Sequence, residues 1–249
     1  AVKGIWCVPK YSNPDGITFS DEVVRRFAAL KPAAKDFRVI WDNAYIVHDL
    51  NDTPDKLLNI FDEAKKCGSE DMFIEVISTS KISFAGGGIS AVIASDANIA
   101  EIKKRMSIQI ISNDKINQLR HARYFKNLDG IKAHMKKQAA ILKPKFDAVT
   151  DGFEKAFDGT GIASWKKPNG GYFISLFVMN GCAKRVGQLC KEAGLTLTTV
   201  GATYPYGIDP DDSNIRIAPS YPDVDELKKA VELLCICVKL AAAEKLTEE

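Results

Sequence analysis

Hydrophobic positions in the first hundred residues fall into short, β-branched and aromatic runs separated by amphipathic stretches. The runs at 4–8, 37–41, 72–77 and 89–94 predict strands. Between the first three, apolar residues recur at helical spacing. One helix is expected over 21–30, with Ser20 as its N-cap and acidic residues in its first turn. A second is expected over 55–66, with Pro54 near its start and Gly68 as its stop. Strands alternating with helices predict βαβ crossovers and a mostly parallel sheet.

The pattern then changes. Residues 97–157 read as nearly all helical, and Ile131, Met135, Ala139, Leu142, Phe146, Val149 and Phe153 follow a period near 3.6. Pro144 within that stretch predicts a kink. Strands are expected next at 161–165, 172–178 and 215–218, and helices at 183–193 and 223–244. The fold class is therefore α/β followed by α+β. The expected boundaries are 1–127 for the parallel-sheet domain and 128–249 for the smaller one, which opens on the long kinked helix, with a cleft between the two.

Composition narrows the function classes. A hydrophobic fraction of 46% over 249 residues supports a sizeable core. The net charge of +2 gives no reason to expect nucleic acid or an acidic membrane as partner. Lys132, Lys136, Lys137, Lys143 and Lys145 plot onto the wet face of the long helix. No apolar run approaches the ~18 residues needed to span a bilayer. The opening residues do not read as a secretory signal, and the cysteine usage leads to the expectation of a cytoplasmic protein. The six cysteines lack paired spacing and read as reduced packing residues. The three histidines, His48, His121 and His134, lie far apart without ligand spacing, so no metal site is expected.

Chemistry concentrates at strand ends, where ligands of open α/β sheets gather. The run 72–77 leads into Ser78-Thr79-Ser80-Lys81 and then Gly86-Gly87-Gly88. A lysine after a buried strand is expected in a low dielectric that favours the neutral, nucleophilic amine. Ser12-Asn13-Pro14-Asp15-Gly16 follows the first run, and Trp41-Asp42-Asn43-Ala44-Tyr45 closes the second. Late in the chain, Arg216 lies on a predicted strand. Taken singly, Tyr45 reads more readily as a packing aromatic, Arg216 as an edge arginine and Asn13-Pro14-Asp15-Gly16 as a β-turn, while Asp42 reads as well as a loop carboxylate.

In this order and spacing the segments resemble fold-type I pyridoxal-phosphate enzymes, specifically class I aminotransferases of a bacterial aspartate-aminotransferase-like subgroup. Tyr204-Pro205-Tyr206-Gly207 and the run from Arg216 to Pro222 share that likeness, which covers essentially the whole chain. The resemblance implies pyridoxal 5'-phosphate as cofactor, with Lys81 forming its Schiff base and carrying the substrate proton. It implies Asp42 at the pyridine nitrogen, Tyr45 and Asn13 at the phenolic oxygen, and Ser78 at the phosphate. Arg216, with Asn13, would bind the substrate α-carboxylate through a planar fork. Amino-acid and 2-oxo-acid substrates and a homodimer are implied in the same way. A carbon–sulfur lyase or a non-catalytic ligand-binding module of the same fold are the alternatives.

Two departures from the family stand out. The arginine that often follows the lysine to grip phosphate is replaced by Gly87-Gly88-Ile89-Ser90. The chain is also short for the family. It is expected to be the C-terminal part of a longer protein, with an exposed sheet edge and weak cofactor binding on its own.

Overall fold

A computed structural model of the chain describes residues 1–248. These form two compact units. The first comprises Ala1–Tyr11, Ile17–Asp49 and Pro54–Lys137, and the second Ser12–Gly16, Leu50–Thr53 and the chain from Gln138 onward.

The first unit is built on β1 (Gly4–Cys7), β2 (Arg38–Asp42), β3 (Phe73–Ser78) and β4 (Ser90–Ala94), hydrogen-bonded in that order. β1 and β2 run parallel to β3, whereas β4 is antiparallel to it. The connection 79–89 is therefore a hairpin loop, closed by Thr79 N–H to the Ile89 carbonyl at 2.8 Å. Lys81 lies inside that loop. Helix α1 (Asp21–Ala28) is capped by the Ser20 hydroxyl, as its sequence predicts.

Helix α2 covers only Ile60–Cys67, shorter than the spacing predicts. Asn59 caps it by accepting the Phe61 and Asp62 N–H groups, and Gly68 ends it at φ 63°. The preceding stretch is bound elsewhere: Asp55 donates its N–H to the Tyr11 hydroxyl, and its carboxylate accepts from Thr18 at 2.7 Å. Side-chain partners available only in the folded chain override the local helical pattern there. Val24 and Ala28 of α1 and Ile60 and Ala64 of α2 pack with Val39, Trp41 and Phe73 in one core.

Both edges of this sheet are exposed. Trp6 of β1 keeps 65% of its surface and Ile93 of β4 keeps 45%. A fully covered parallel sheet would bury both faces, and here burial is deepest in the two central strands. Helices α3 (Asp96–Gln109) and α4 (Lys115–Phe125) follow, and α5 (Leu128–Phe157) carries the chain into the second unit.

In that unit β5 (Ala163–Trp165), β6 (Ile174–Val178) and β7 (Asn214–Ile217) form an antiparallel sheet in this order. It packs with α6 (Ala183–Glu192) and α7 (Val224–Glu248) around a core containing Phe146, Val149, Phe153 and Phe157. Phe146, Val149 and Phe153 belong to the helical stripe read from the sequence, and Phe157 extends it by one turn. α5 is helical on both sides of Pro144. Burial of the stripe directly after it offsets the lost backbone bond. Four of the six free cysteines are buried here, and burial pushes the Cys235 thiol up to about 11, which keeps it unreactive at neutral pH. No helix among the described residues is long and apolar enough to cross a membrane.

Candidate active site

Asp42 is the last residue of β2 and Ser78 the last of β3, so both stand at the carboxyl edge of parallel strands. The Trp6 indole N–H donates to the Asp42 carboxylate at 3.2 Å, reaching diagonally from the neighbouring strand. Burial pushes the adjacent Cys7 thiol up to about 12, and the Asp42 charge adds to the effect. Asn43 anchors the turn beyond Asp42. Its N–H donates to the Val76 carbonyl at 2.9 Å and its amide to Glu75.

That turn presents Tyr45, which is buried. The Lys81 ammonium lies over the Tyr45 ring, 5.2 Å from its centroid, within cation–π range. The turn itself is pinned by a buried polar group. Lys10 donates to Asp49 at 2.8 Å and to the Ile46 carbonyl at 3.0 Å, and the Tyr11 hydroxyl reaches the same carboxylate. Asp42, Tyr45, Ser78 and Lys81 thus all belong to the first unit. The Ser78 hydroxyl is engaged locally, accepting the Ser80 N–H and sharing a hydrogen bond with the Ser80 hydroxyl. Lys81 is exposed, so the low-dielectric setting expected from a buried strand end is not found around its side chain.

The loop carrying Lys81 opens with a tight turn, in which the Ile82 and Ser83 N–H groups donate to the Thr79 carbonyl. Gly88 folds back against it, and a Cβ there would lie 2.4 Å from Ser80 Oγ. That close approach requires glycine and accounts for one glycine of the run through packing. Asn117 of α4 donates to the Gly87 and Gly88 carbonyls at 2.7 and 3.3 Å. One turn on, His121 meets the Thr79 and Ser83 hydroxyls through Nε2, each at 2.9 Å. Asn117, His121 and Phe125 are the buried face of α4, at i, i+4 and i+8.

The other two histidines also reach this turn. His48 Nε2 donates to the Lys81 carbonyl at 3.1 Å, and His134 Nε2 to the Ile82 carbonyl at 2.8 Å. Burial pushes the His48 imidazole down to about 4, and the Lys81 charge acts in the same direction. His48 is therefore neutral at pH 7. Their wide separation along the chain conceals this convergence in the sequence. The polar i, i+4 pair Asn117 and His121 on a buried helical face is the available sequence signal.

The second unit holds Asn13 and Arg216. The Arg216 guanidinium donates to the Asn13 side-chain oxygen at 3.0 Å and lies 4.8 Å from the Phe173 ring centroid. Its Nε is buried and makes no hydrogen bond among the described residues. Gly16, at φ 65°, closes the Asn13 turn against Pro168, where a Cβ would approach to 2.8 Å.

β7, the strand that carries Arg216, starts from a buried polar lattice that the sequence pattern does not reveal. The Asp209 carboxylate accepts the N–H groups of Asp211, Ser213 and Asn214 at 3.1, 2.8 and 2.8 Å. The Asn214 side chain then bonds Ser175 and Thr203. Burial pushes the Asp209 carboxyl up, but these N–H groups outweigh it and hold the group below the usual carboxylate range. Asp209→Ala should therefore destabilise the protein by about 3 kcal/mol, since charge-assisted bonds are lost and buried donors orphaned. With the folded value depressed, the contribution is complete above the unfolded value of about 3.9 and is lost as pH falls through the folded one. Urea titrations at pH 7 and pH 3 should show a wide gap between wild type and variant that narrows in acid. An equal gap at both would refute the role of the charge.

Comparison with known proteins gives the family and supports the fold. The aspartate amino-transferase family model matches residues 1–249. An aspartate aminotransferase of Corynebacterium glutamicum is 45% identical over 243 residues, covering 98% of this chain and 56% of the relative. The crystal structure of an aspartate transaminase from that organism superposes with a TM-score of 0.95 at 45% identity, over 98% of this chain and 57% of the other. The α-aminoadipate aminotransferase LysN of Thermus thermophilus, solved with N-(5'-phosphopyridoxyl)-L-leucine, shares the fold at 16% identity and a TM-score of 0.76. It is matched over 96% of this chain and 59% of its own. The chain thus spans somewhat more than half the length of these relatives, and it belongs to the aspartate aminotransferase family.

Proposed function

We propose that the protein carrying this chain is a pyridoxal-phosphate-dependent aminotransferase, moving the amino group of an amino acid, with aspartate the leading candidate, to a 2-oxo acid. The observation that supports it best is the Lys81 ammonium over the Tyr45 ring at 5.2 Å, in the same unit as a carboxylate closing the neighbouring strand. The 45% identity to an aspartate aminotransferase supports the substrate class. In this reading residues 1–127 form part of the cofactor domain, 128–249 form the smaller domain, and the complete protein is a homodimer.

The residues fit the cofactor in chemistry. When bound, pyridoxal phosphate supplies an electrophilic carbonyl and a ring that accepts electrons. Lys81 would hold it through the side-chain amine and move a proton at the substrate α-carbon. Asp42 would keep a proton on the ring nitrogen, Tyr45 would donate to the ring oxygen, and Ser78 would donate to the phosphate. In the second unit, Arg216 keeps a buried, unspent Nε–H beside a fork oriented by Asn13, as binding a substrate carboxylate requires. Borohydride treatment of the full-length protein loaded with pyridoxal phosphate, followed by peptide mapping, should place the pyridoxyl label on Lys81. A label on another lysine would refute the assignment.

A further inference from the structure

All three histidines of the chain converge on the five-residue turn 79–83, from three different elements. His48 comes from the turn after β2, His121 from α4 and His134 from α5. The atoms they bind divide without overlap. The Lys81 and Ile82 carbonyls can only accept, so His48 and His134 are Nε2–H donors to them. His121 donates Nδ1–H to the Asn117 carbonyl, which leaves its Nε2 to serve the Thr79 and Ser83 hydroxyls. The histidines ring the lysine without forming a metal-type cluster among the described residues. Two of the bonds fall on the two consecutive carbonyls that begin at Lys81. The Thr79–Ile89 backbone bond already closes the hairpin, so closure alone does not require them.

We propose that His48, His121 and His134 are positioning residues that fix the backbone of turn 79–83 and thereby pre-orient the Lys81 amine for bond formation with an aldehyde cofactor. The inference rests on the proposed function, in which Lys81 makes that bond. An exposed lysine on an unclamped loop would have to be ordered at the moment of reaction, whereas a clamped one is ordered at folding. His121 holds the turn by its hydroxyls, and the other two hold it by its carbonyls.

The test compares two probes on the full-length protein. Pyridoxal phosphate carries the aldehyde that Lys81 would engage, and pyridoxamine phosphate does not. In His48→Leu and His134→Leu the Kd for pyridoxal phosphate should rise on the order of fivefold for each neutral hydrogen bond lost. The Kd for pyridoxamine phosphate should stay unchanged. His48→Gln and His134→Gln, which keep an N–H donor, should restore the ratio of the two constants. Equal weakening of both probes, or weakening of neither, would overturn the clamp. Should His48→Leu fail to fold, the less buried His134 pair decides the matter alone. Borohydride mapping of the wild type separates the two levels. A label away from Lys81 overturns the proposed function and the clamp together, whereas a label on Lys81 with an unchanged Kd ratio overturns the clamp only.

Discussion

Lys81→Ala will lower amino transfer by the full-length protein by about 10⁴-fold or more while leaving its melting temperature nearly unchanged. In the proposed function, two roles of Lys81 would be removed at once. General acid–base transfer by a placed side chain contributes about 10² to 10⁴, and the covalent attachment adds to it. Stability should hold within about 0.5 kcal/mol because the side chain is exposed and its aliphatic stem fills no core. Lys81→Arg sharpens the test. It keeps the positive charge over the Tyr45 ring, but a guanidinium stays protonated and cannot act as an amine. Both variants should therefore lose turnover to a similar extent. Recovery in Lys81→Arg would show that only the charge is needed, and a variant with near-normal kcat in either case would refute the assignment.

Asp42→Asn is expected to cut kcat by about 10² to 10⁴ with the fold intact, a range typical of a placed electrostatic or proton-holding group. The amide oxygen can still accept the Trp6 indole N–H, now found at 3.2 Å from the carboxylate. The substitution thus removes charge while retaining size and the hydrogen bond. In the proposed function, Asp42 would keep a proton on the cofactor's ring nitrogen, and removing its charge would weaken that hold. Trp6→Phe serves as the control. It removes the indole donor and leaves the charge, and should cost at most about tenfold through looser orientation of Asp42. Steady-state kinetics with equal losses in the two variants would show that orientation alone matters. Normal turnover in Asp42→Asn would make Asp42 a structural residue.

Much of the fold is legible in residue order. The helix of Ser20 and Asp21, the apolar stripe through Phe146 to Phe153, and the short strands over 37–41 and 72–77 follow from local rules of periodicity and capping. Such rules act within a few residues and need no knowledge of distant partners. The late start of α2 was not legible, because the partners of Asp55 are Tyr11 and Thr18, more than thirty residues away. The antiparallel turn of β4 was equally hidden. An apolar run predicts a strand, while the direction of pairing depends on the loop between, here the one holding Lys81.

The candidate residues are marked in the sequence by their order and their places at strand ends, and the identity of the chemistry at each position is intrinsic to the side chain. Amine, carboxylate, phenol and guanidinium are properties of Lys81, Asp42, Tyr45 and Arg216 in any fold. Their surroundings are not. Exposure of Lys81, the Trp6 contact to Asp42, the Asp209 lattice at the start of β7 and the gathering of three histidines on one turn are all set by the tertiary structure. Sequence by itself determined which elements form and which chemical groups stand at their ends, because those depend on local periodicity and covalent structure. Tertiary structure alone decided what each group touches, because hydrogen bonds and burial join residues that are remote along the chain and become neighbours only on folding.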